Sequence, residues 1–426
     1  MRSPEVSPVM GNVSLMFLAT SLFCGILLPS VYATMMGTAL VAYGSVPDDV
    51  AALSDNATMI STALLAGSII AFCLWLLARR RIRLGIVNAL QILMLAELLL
   101  PLTTTTLPHF WGNYLSFVYA TVSFLCWSNL VRWQHRRWIS GVLAVYALIF
   151  VGQIAWRALA MAQQGVPSGA YKFFMVVPFG ASNYLGGPLL ILFFVFLCIR
   201  GREISGRLAW VVLMALFVGM LLIHSRATLV AFLCTLLVYL LSRVRWRGTK
   251  TGVVVWTGLA FLLIIGGFVG ALVLVRRYGG LMAGLDVLSS GRIVLLEAAS
   301  QAFLRRPWFG SGLGNSSPIS TPFGIVELWR AHNFIMDLLM FSGMVGTMIQ
   351  CCVYLLAAHS LRIKAVFSPW ATGAFFSLIA ILIDGLAEPS VFTYRVDALL
   401  WMVIGVGYAL SNAHDKSLVT QSPQEE

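Results

Sequence analysis

The side chains best suited to chemistry lie in a polar segment that interrupts an otherwise apolar chain. Between residues 276 and 333 arginines are frequent, and Ala331-His332-Asn333 stands directly before an apolar run. These arginines are Arg276, Arg277, Arg292, Arg305, Arg306 and Arg330. Guanidinium groups bind phosphate oxygens in pairs, and histidine, with an unperturbed pKa of about 6.5, accepts protons near neutrality. The segment therefore predicts a site where an anionic substrate reacts.

Arg292 follows Ser289-Ser290-Gly291 and begins a run, through Leu304, in which apolar residues recur at helical spacing. A serine before such a run is a plausible N-cap. The run is too short to span a membrane, so we expect a helix lying on its surface. A cation among the free amides of a first turn favours anion binding. We predict that Arg292 binds phosphate, whereas Arg276 and Arg277 are better explained by headgroup contact.

A glycine-rich turn follows the predicted surface helix. Arg305 and Arg306 come first, and glycines then occur at 310, 312 and 314. Closely spaced glycines allow backbone amides to converge on an anion, although most such runs are simple turns. No Gly-Lys-Ser/Thr follows, so this is not a nucleotide-binding P-loop. We expect Arg305, Arg306, Gly312 and Gly314 to contribute to substrate binding.

A second polar spot, His224-Ser225-Arg226, separates two apolar runs. If Arg226 approaches Arg292, the pair would form a clamp that supplies fixed positive charge to a departing diphosphate. No Asp-x-Asp pair or His/Glu cluster near these residues suggests a divalent metal, so we expect the arginines to replace one and no cofactor to be needed. His332 would act as the base, and Asn333 would orient a substrate hydroxyl.

The elements that position these residues are membrane helices. A hydrophobic content of 59% with 10% charged residues excludes an ordinary soluble domain. Apolar runs of about 20 residues are long enough to cross a hydrocarbon core of roughly 30 Å. We predict an all-α polytopic protein, residues 1–426 forming a single integral membrane domain. About twelve spans are expected, near 13–36, 57–78, 84–103, 113–131, 138–160, 184–199, 208–223, 227–242, 251–275, 333–358, 369–387 and 396–411.

Basic residues fix the predicted orientation. Arginine and lysine cluster after the even-numbered spans, near 79–83, 132–137, 200–207, 243–250 and 362–364, and the loops after spans one and three have none. The positive-inside rule places those basic loops and both termini in the cytoplasm. The large loop 276–332, between spans nine and ten, then faces outward. The net charge of +12 is thereby explained without nucleic acid as a partner.

Several short stretches resemble the O-antigen ligase and polysaccharide polymerase family of bacterial inner-membrane glycosyltransferases. The stretches are Ser225-Arg226-Ala227, Ser290-Gly291-Arg292, Arg306-Pro307-Trp308-Phe309-Gly310-Ser311-Gly312-Leu313-Gly314, Ala331-His332-Asn333, Gly343-Met344-Val345-Gly346 and Phe179-Gly180-Ala181-Ser182-Asn183-Tyr184. The resemblance covers roughly 180–350 by motif, and the N-terminal half by hydropathy alone.

The resemblance implies a GT-C-like fold and an active site on the periplasmic face of the inner membrane. The implied reaction transfers a glycan from undecaprenyl pyrophosphate to a hydroxyl, without nucleotide or metal. Arg226 and Arg292 would bind pyrophosphate, His332 would activate the acceptor, and Asn183 would contact substrate. A ligase would use lipid A–core as acceptor, and a polymerase would use another lipid-linked repeat. We favour the ligase.

Two alternatives to an enzyme are a secondary transporter and a flippase. Twelve helices also suit a secondary transporter, but the sequence has no internal repeat and its one long loop is not central. A flippase for the same lipid-linked glycan is the closer rival. Acidic residues inside the spans, Glu97, Asp337 and Asp384, are functional candidates in any of these classes. In an enzyme they would bind sugar hydroxyls or brace arginines.

Overall fold

A computed structural model shows a helical bundle. It describes residues 6–28, 48–79, 82–100, 110–167, 171–243, 292–313, 317–321, 324–328 and 330–419. Numbered over these residues, the helices are α1 Val6–Leu27, α2 Asp48–Arg79, α3 Ile86–Glu97, α4 Phe110–Leu130, α5 Arg136–Gln163, α6 Tyr171–Phe174, α7 Ser182–Ile199, α8 Gly206–Leu222, α9 Arg226–Arg243, α10 Arg292–Arg305, α11 Phe334–Lys364, α12 Pro369–Asp384 and α13 Tyr394–Val419. Two short antiparallel hairpins pair β1 Val176–Val177 with β2 Gly180–Ala181, and β3 Ser317–Thr321 with β4 Gly324–Leu328.

A helix overlaps each predicted span that lies within the described residues. The ninth predicted span, 251–275, lies outside the described residues. Within the described ranges, six helical segments are long and apolar enough to cross a membrane, and α3, α8 and α12 are apolar but shorter. The prediction of an all-α membrane protein is confirmed in this form. The number of twelve spans, the GT-C class and the domain boundaries stay predictions.

Apolar side chains cover the outside of the bundle. Trp156 is 76% exposed and Leu355 is 69% exposed, although both sit in the middle of long apolar helices. Acidic residues such as Asp337 and Asp384 are buried instead. A soluble protein keeps large apolar patches off its surface, whereas a hydrocarbon surrounding favours this arrangement. The outer surface therefore fits lipid.

Helix α7 lies at the centre of the bundle. Nearly all of its residues are buried, and it packs mainly against α12, with α8 and α13 beside it. Side chains cap the helices that follow. Ser205 accepts a hydrogen bond from the Leu208 amide at the start of α8, and Ser368 accepts one from Ala371 at the start of α12. Such caps satisfy amides that a helix leaves free at its N-terminus.

Helix α11 is broken at Gly343, whose φ of 62° and ψ of −159° lie in a region that essentially only glycine adopts. The turn after α10 fits into the break. Ser311 and Gly312 donate their amides to the carbonyls of Met340 and Phe341, at 2.8 and 2.9 Å. The amides of Met344 and Val345 donate back to residues 307 and 308. The turn thus supplies the hydrogen bonds that the broken helix lacks, as a membrane interior requires.

Candidate active site

The polar segments that carry chemistry meet at one end of the bundle. They are the segment before α7, the turn between α8 and α9, the start of α10, the start of α11 and the connection from α12 to α13. Their side chains contact one another directly, as described below. The basic segments that follow α7 and α11 lie at the opposite ends of those helices, so the two sets of polar residues are separated by the apolar bundle.

Glu388 is the centre of a cluster that also contains Arg292, Lys172 and Ser225, called the Glu388 group. Its side chain is 1% exposed, and its Oε1 lies 2.8 Å from Nη2 of Arg292 and 3.2 Å from Nζ of Lys172. Ser225 donates its hydroxyl to the same oxygen at 3.3 Å. The cations Arg292 and Lys172 outnumber the single carboxylate of Glu388, so this largely buried cluster has a net positive charge. Such a group suits an anionic ligand, because low polarity strengthens charge interactions.

Asp384 forms hydrogen bonds to residues that adjoin the Glu388 group. Its Oδ1 accepts a hydrogen bond from Thr228 at 3.0 Å, and its Oδ2 accepts one from Ser390 at 2.6 Å. Thr228 Oγ1 also lies 3.1 Å from Ser225 Oγ, which connects this layer to Glu388. A network whose members are all hydrogen-bonded holds its geometry rigidly. Asp384 therefore positions the turn between α8 and α9 against the α12–α13 connection.

His332 lies beside the Glu388 group. Its φ is 56°, a left-handed conformation, and its Nδ1 is buried with no hydrogen-bond partner among the described residues. Burial is the main cause that lowers the pKa of His332 to about 4, the charge of Arg292 lowers it too, and Glu388 acts in the opposite direction. The imidazole is therefore uncharged at neutral pH and able to accept a proton.

Residues on either side of His332 fix its place. Arg330 donates to backbone carbonyls of the α12–α13 connection, including Val391 at 2.9 Å and Phe392 at 2.6 Å. The amide of Ala331 donates to Asp337 at 2.6 Å. Asn333 caps α11 by accepting from the amides of residues 335 and 336, and its Nδ2 donates to the Leu386 carbonyl. His332 is thus held between two anchored neighbours.

Arg226 and Asn183 lie close to the group without joining it. Arg226 begins α9 directly after Ser225, is exposed and forms no ion pair among the described residues. The expected clamp with Arg292 stays a prediction. Asn183 lies in the first turn of α7, where its Oδ1 is 3.5 Å from the Ser182 hydroxyl that donates to the Lys172 carbonyl.

The remaining predicted ligands are placed differently. Arg305 and Arg306 are exposed at the end of α10, with no ion pair to any described residue. The amide of Gly312 is occupied by Phe341, and Gly314 lies outside the described residues. Glu97 packs against α11 beside Gly346, past the break. The roles of Arg305, Arg306, Gly312 and Gly314 in substrate binding remain predictions.

The residues that sequence reasoning missed are Glu388 and Lys172. Each lies in a connection between apolar spans, and Glu388 stands before Pro389 in a short, otherwise uncharged stretch. An acid in such a short connection, facing the arginine-rich loop, was a usable signal. The pairing itself was not visible, because Arg292 and Glu388 are far apart in the chain.

Comparison with known protein families supplies the deciding observation. Residues 210–351 match the family described as O-antigen ligase. This part of the chain is similar to that family. The matched residues include Arg226, Arg292 and His332, whereas Lys172 and Glu388 lie outside the match. The resemblance noted from sequence motifs is confirmed. No curated protein matches the chain.

Proposed function

We propose that the protein is an O-antigen ligase that transfers a glycan from undecaprenyl pyrophosphate to a hydroxyl of lipid A–core. The observation that carries this proposal is the buried, uncharged His332 beside the Arg292–Glu388–Lys172 group, in a chain whose residues 210–351 match the O-antigen ligase family. A base next to fixed cations is the combination that such a transfer needs.

The proposed reaction exchanges one bond at the anomeric carbon. The acceptor oxygen forms a bond to that carbon while the bond to the pyrophosphate oxygen breaks. The acceptor proton moves to His332, and the electron pair of the broken bond leaves with undecaprenyl pyrophosphate. A pyrophosphate already leaves well, so activation of the weakly nucleophilic hydroxyl matters most.

Arg292 and Arg226 are proposed to bind the pyrophosphate, with Lys172 adding charge. Glu388 holds Arg292 and Lys172 on one oxygen. Two cations sharing one carboxylate keep a net positive charge, and Arg226 adds another from the neighbouring turn. Guanidinium pairs recognise phosphate oxygens with defined geometry, which favours a single donor orientation. In this proposal the arginines take the part that a metal ion takes in other transferases.

The reaction is proposed to occur at the periplasmic face of the bacterial inner membrane. This side is inferred from the arginine and lysine clusters, which follow α2, α4, α7, α9 and α11 and favour the cytoplasm. The Glu388 group lies at the other end of α7 and α9. Lipid-linked donor would reach the site from the bilayer, so no nucleotide is needed there.

A deletion strain tests the proposal directly. We expect its lipopolysaccharide to consist of core without O-chain, while lipid-linked glycan accumulates. Complementation with the wild-type gene should restore the O-chain, and a His332→Ala gene expressed to the same level should not. Core that carries a single repeat would instead indicate a polymerase. Unchanged lipopolysaccharide would contradict both activities.

A further inference from the structure

A second cationic cavity lies beside the candidate active site. Its volume is about 210 Å³, and it opens between the start of α4, the hairpin before α7 and the start of α13. The residues that matter are Arg330, Arg395, Asn113, Phe179, Tyr184 and Tyr394. None of them belongs to the Glu388 group. Two guanidinium groups in one cavity call for an explanation, because like charges repel at short range.

Arg395 is buried and bound by neutral groups only. It is 4% exposed, and its Nη1 donates to the carbonyls of Gly25, Leu28 and Pro178, at 2.5, 3.2 and 3.0 Å. Its Nε donates to the Tyr394 hydroxyl at 2.7 Å. No described carboxylate forms an ion pair with it. A buried charge without a counter-ion is costly, so an anion here is favoured.

Arg330 faces the same cavity under similar conditions. Its Nη2 donates to Asn113 Oδ1 at 3.3 Å and to the Phe392 carbonyl at 2.6 Å. Asp337 of α11 and Asp397 of α13 interact with it electrostatically, but neither forms an ion pair with it. The two acids offset part of its charge, and neither lines the cavity. The cavity itself is lined by cations and neutral groups.

The α12–α13 connection joins this cavity to the candidate active site. Glu388 holds Arg292 at one end of the connection, and the next residue, Pro389, accepts a hydrogen bond from Arg330 at 3.4 Å. Arg330 in turn precedes His332 by two residues. Charges from both sites act on His332: Arg292 of the Glu388 group, proposed to bind the donor pyrophosphate, and Arg330 of the cavity.

We propose that this cavity binds an acidic sugar, bearing phosphate or carboxylate, of the acceptor glycan. This inference rests on the proposed function and names the acceptor chemistry for it. Anchored guanidinium groups would bind the anion, and the rings of Phe179, Tyr184 and Tyr394 would pack against the sugar. A volume of about 210 Å³ is below the roughly 300–1,000 Å³ of drug-sized sites, so it fits a single charged sugar unit.

Phosphorus NMR on the purified full-length protein tests the inference without requiring transfer. The probe is glucose 6-phosphate, titrated into protein held in phosphatidylcholine nanodiscs. We expect the phosphorus signal of glucose 6-phosphate to broaden and the effect to saturate. Inorganic phosphate should bind more weakly, and unphosphorylated glucose should not compete with the probe. Because only binding is measured, the result stands apart from whether the protein is a ligase.

Asn113→Asp is the informative variant, with Asn113→Ala as its matched control. The new carboxylate would lie where the amide oxygen now meets Arg330, so it would form an ion pair with Arg330 and compete with an anionic ligand for that guanidinium. We expect binding of glucose 6-phosphate to weaken about tenfold or more in Asn113→Asp, and less than about threefold in Asn113→Ala. Both variants should unfold at temperatures close to that of the wild type.

Arg292→Gln distinguishes binding in the cavity from binding at the Glu388 group. Its affinity for glucose 6-phosphate should stay within about twofold of the wild-type value, because Arg292 belongs to the Glu388 group. Equal binding by wild type and Asn113→Asp, or loss of binding in Arg292→Gln, would overturn the inference. Displacement of the probe by phosphatidylglycerol in the nanodisc would assign the cavity to lipid headgroups and overturn the acceptor assignment.

Discussion

Glu388→Gln is the substitution that most sharply tests the architecture of the site. The amide keeps the shape of the side chain but removes the charge that holds Arg292 and Lys172. Removing one member of a buried ion pair costs about 3–5 kcal/mol. Arg292 and Lys172 are 18% and 27% exposed, so water would solvate them in part, which reduces the expected cost to about 2–3 kcal/mol. If that energy positions Arg292 in the transition state, the rate should fall about 30-fold to 160-fold.

The assay measures transfer per folded molecule, together with thermal unfolding in detergent. Glu203→Gln is the matched control, because Glu203 forms an ion pair with Arg136 at the same 2.8 Å, past the far end of α7. Helix α7 has 18 residues, which separates the two pairs by about 27 Å. The control should lose stability but keep its activity per folded molecule. Activity of Glu388→Gln within about twofold of wild type would refute the positioning role.

Four further predictions follow from the same geometry. His332→Ala should abolish transfer while the protein stays folded. Because the pKa of His332 is lowered to about 4, wild-type kcat/KM should be level from about pH 6 to 8 and fall below about pH 5. A midpoint of this pH profile near pH 6.5 would contradict the expectation. Arg292→Lys and Arg226→Lys should both lose most activity, because lysine makes no bidentate phosphate contact, and only the former should also lose thermal stability. Gly343→Ala should lower the free energy of unfolding by at least about 1–3 kcal/mol, because its Cβ would meet the backbone of residue 308 at 2.4 Å. Gly141→Ala is the control: its Cβ would have open space, so the free energy of unfolding should hardly change. A chelator should leave the purified enzyme active, because arginines are proposed to bind the pyrophosphate in place of a metal ion; inhibition that added metal reverses would contradict a metal-free reaction.

Local pattern was enough to predict the helices and to propose candidate reactive side chains, whose roles stay predictions. Apolar runs predicted the positions of α7, α9 and α11, since each run must satisfy its own backbone hydrogen bonds in lipid. Helical spacing after Gly291 predicted α10, which the structure describes from Arg292. His332 and Arg292 were recognised by residue type and by their place in a polar loop, and the structure puts them beside each other.

The contacts between distant segments could not be predicted in the same way. Glu388 meets Arg292, Lys172 and Ser225 only after four separate connections have come together. No local periodicity encodes that meeting. The uncharged state of His332 likewise depends on burial by those segments. A sequence motif specifies which groups are present, and the packed bundle decides their partners and protonation.

The glycine run shows a different limit. Its spacing suggested amides that converge on an anion, and the structure instead gives the amide of Gly312 to Phe341. The deciding feature was the break at Gly343, which leaves carbonyls of α11 without helical donors. The sequence indicates the glycine turn, but it predicts one continuous span over 333–358, with no break at Gly343. That the turn completes the broken helix follows only from their three-dimensional fit.

Transfer by the purified protein in proteoliposomes tests the central claim most directly. The vesicles would contain an undecaprenyl-pyrophosphate-linked glycan and lipid A–core, and the product would be glycan attached to core. We predict that the wild-type protein forms this product and that His332→Ala, reconstituted in the same amount, does not. Movement of the lipid-linked glycan across the bilayer with no product, or equal product from both proteins, would contradict the account.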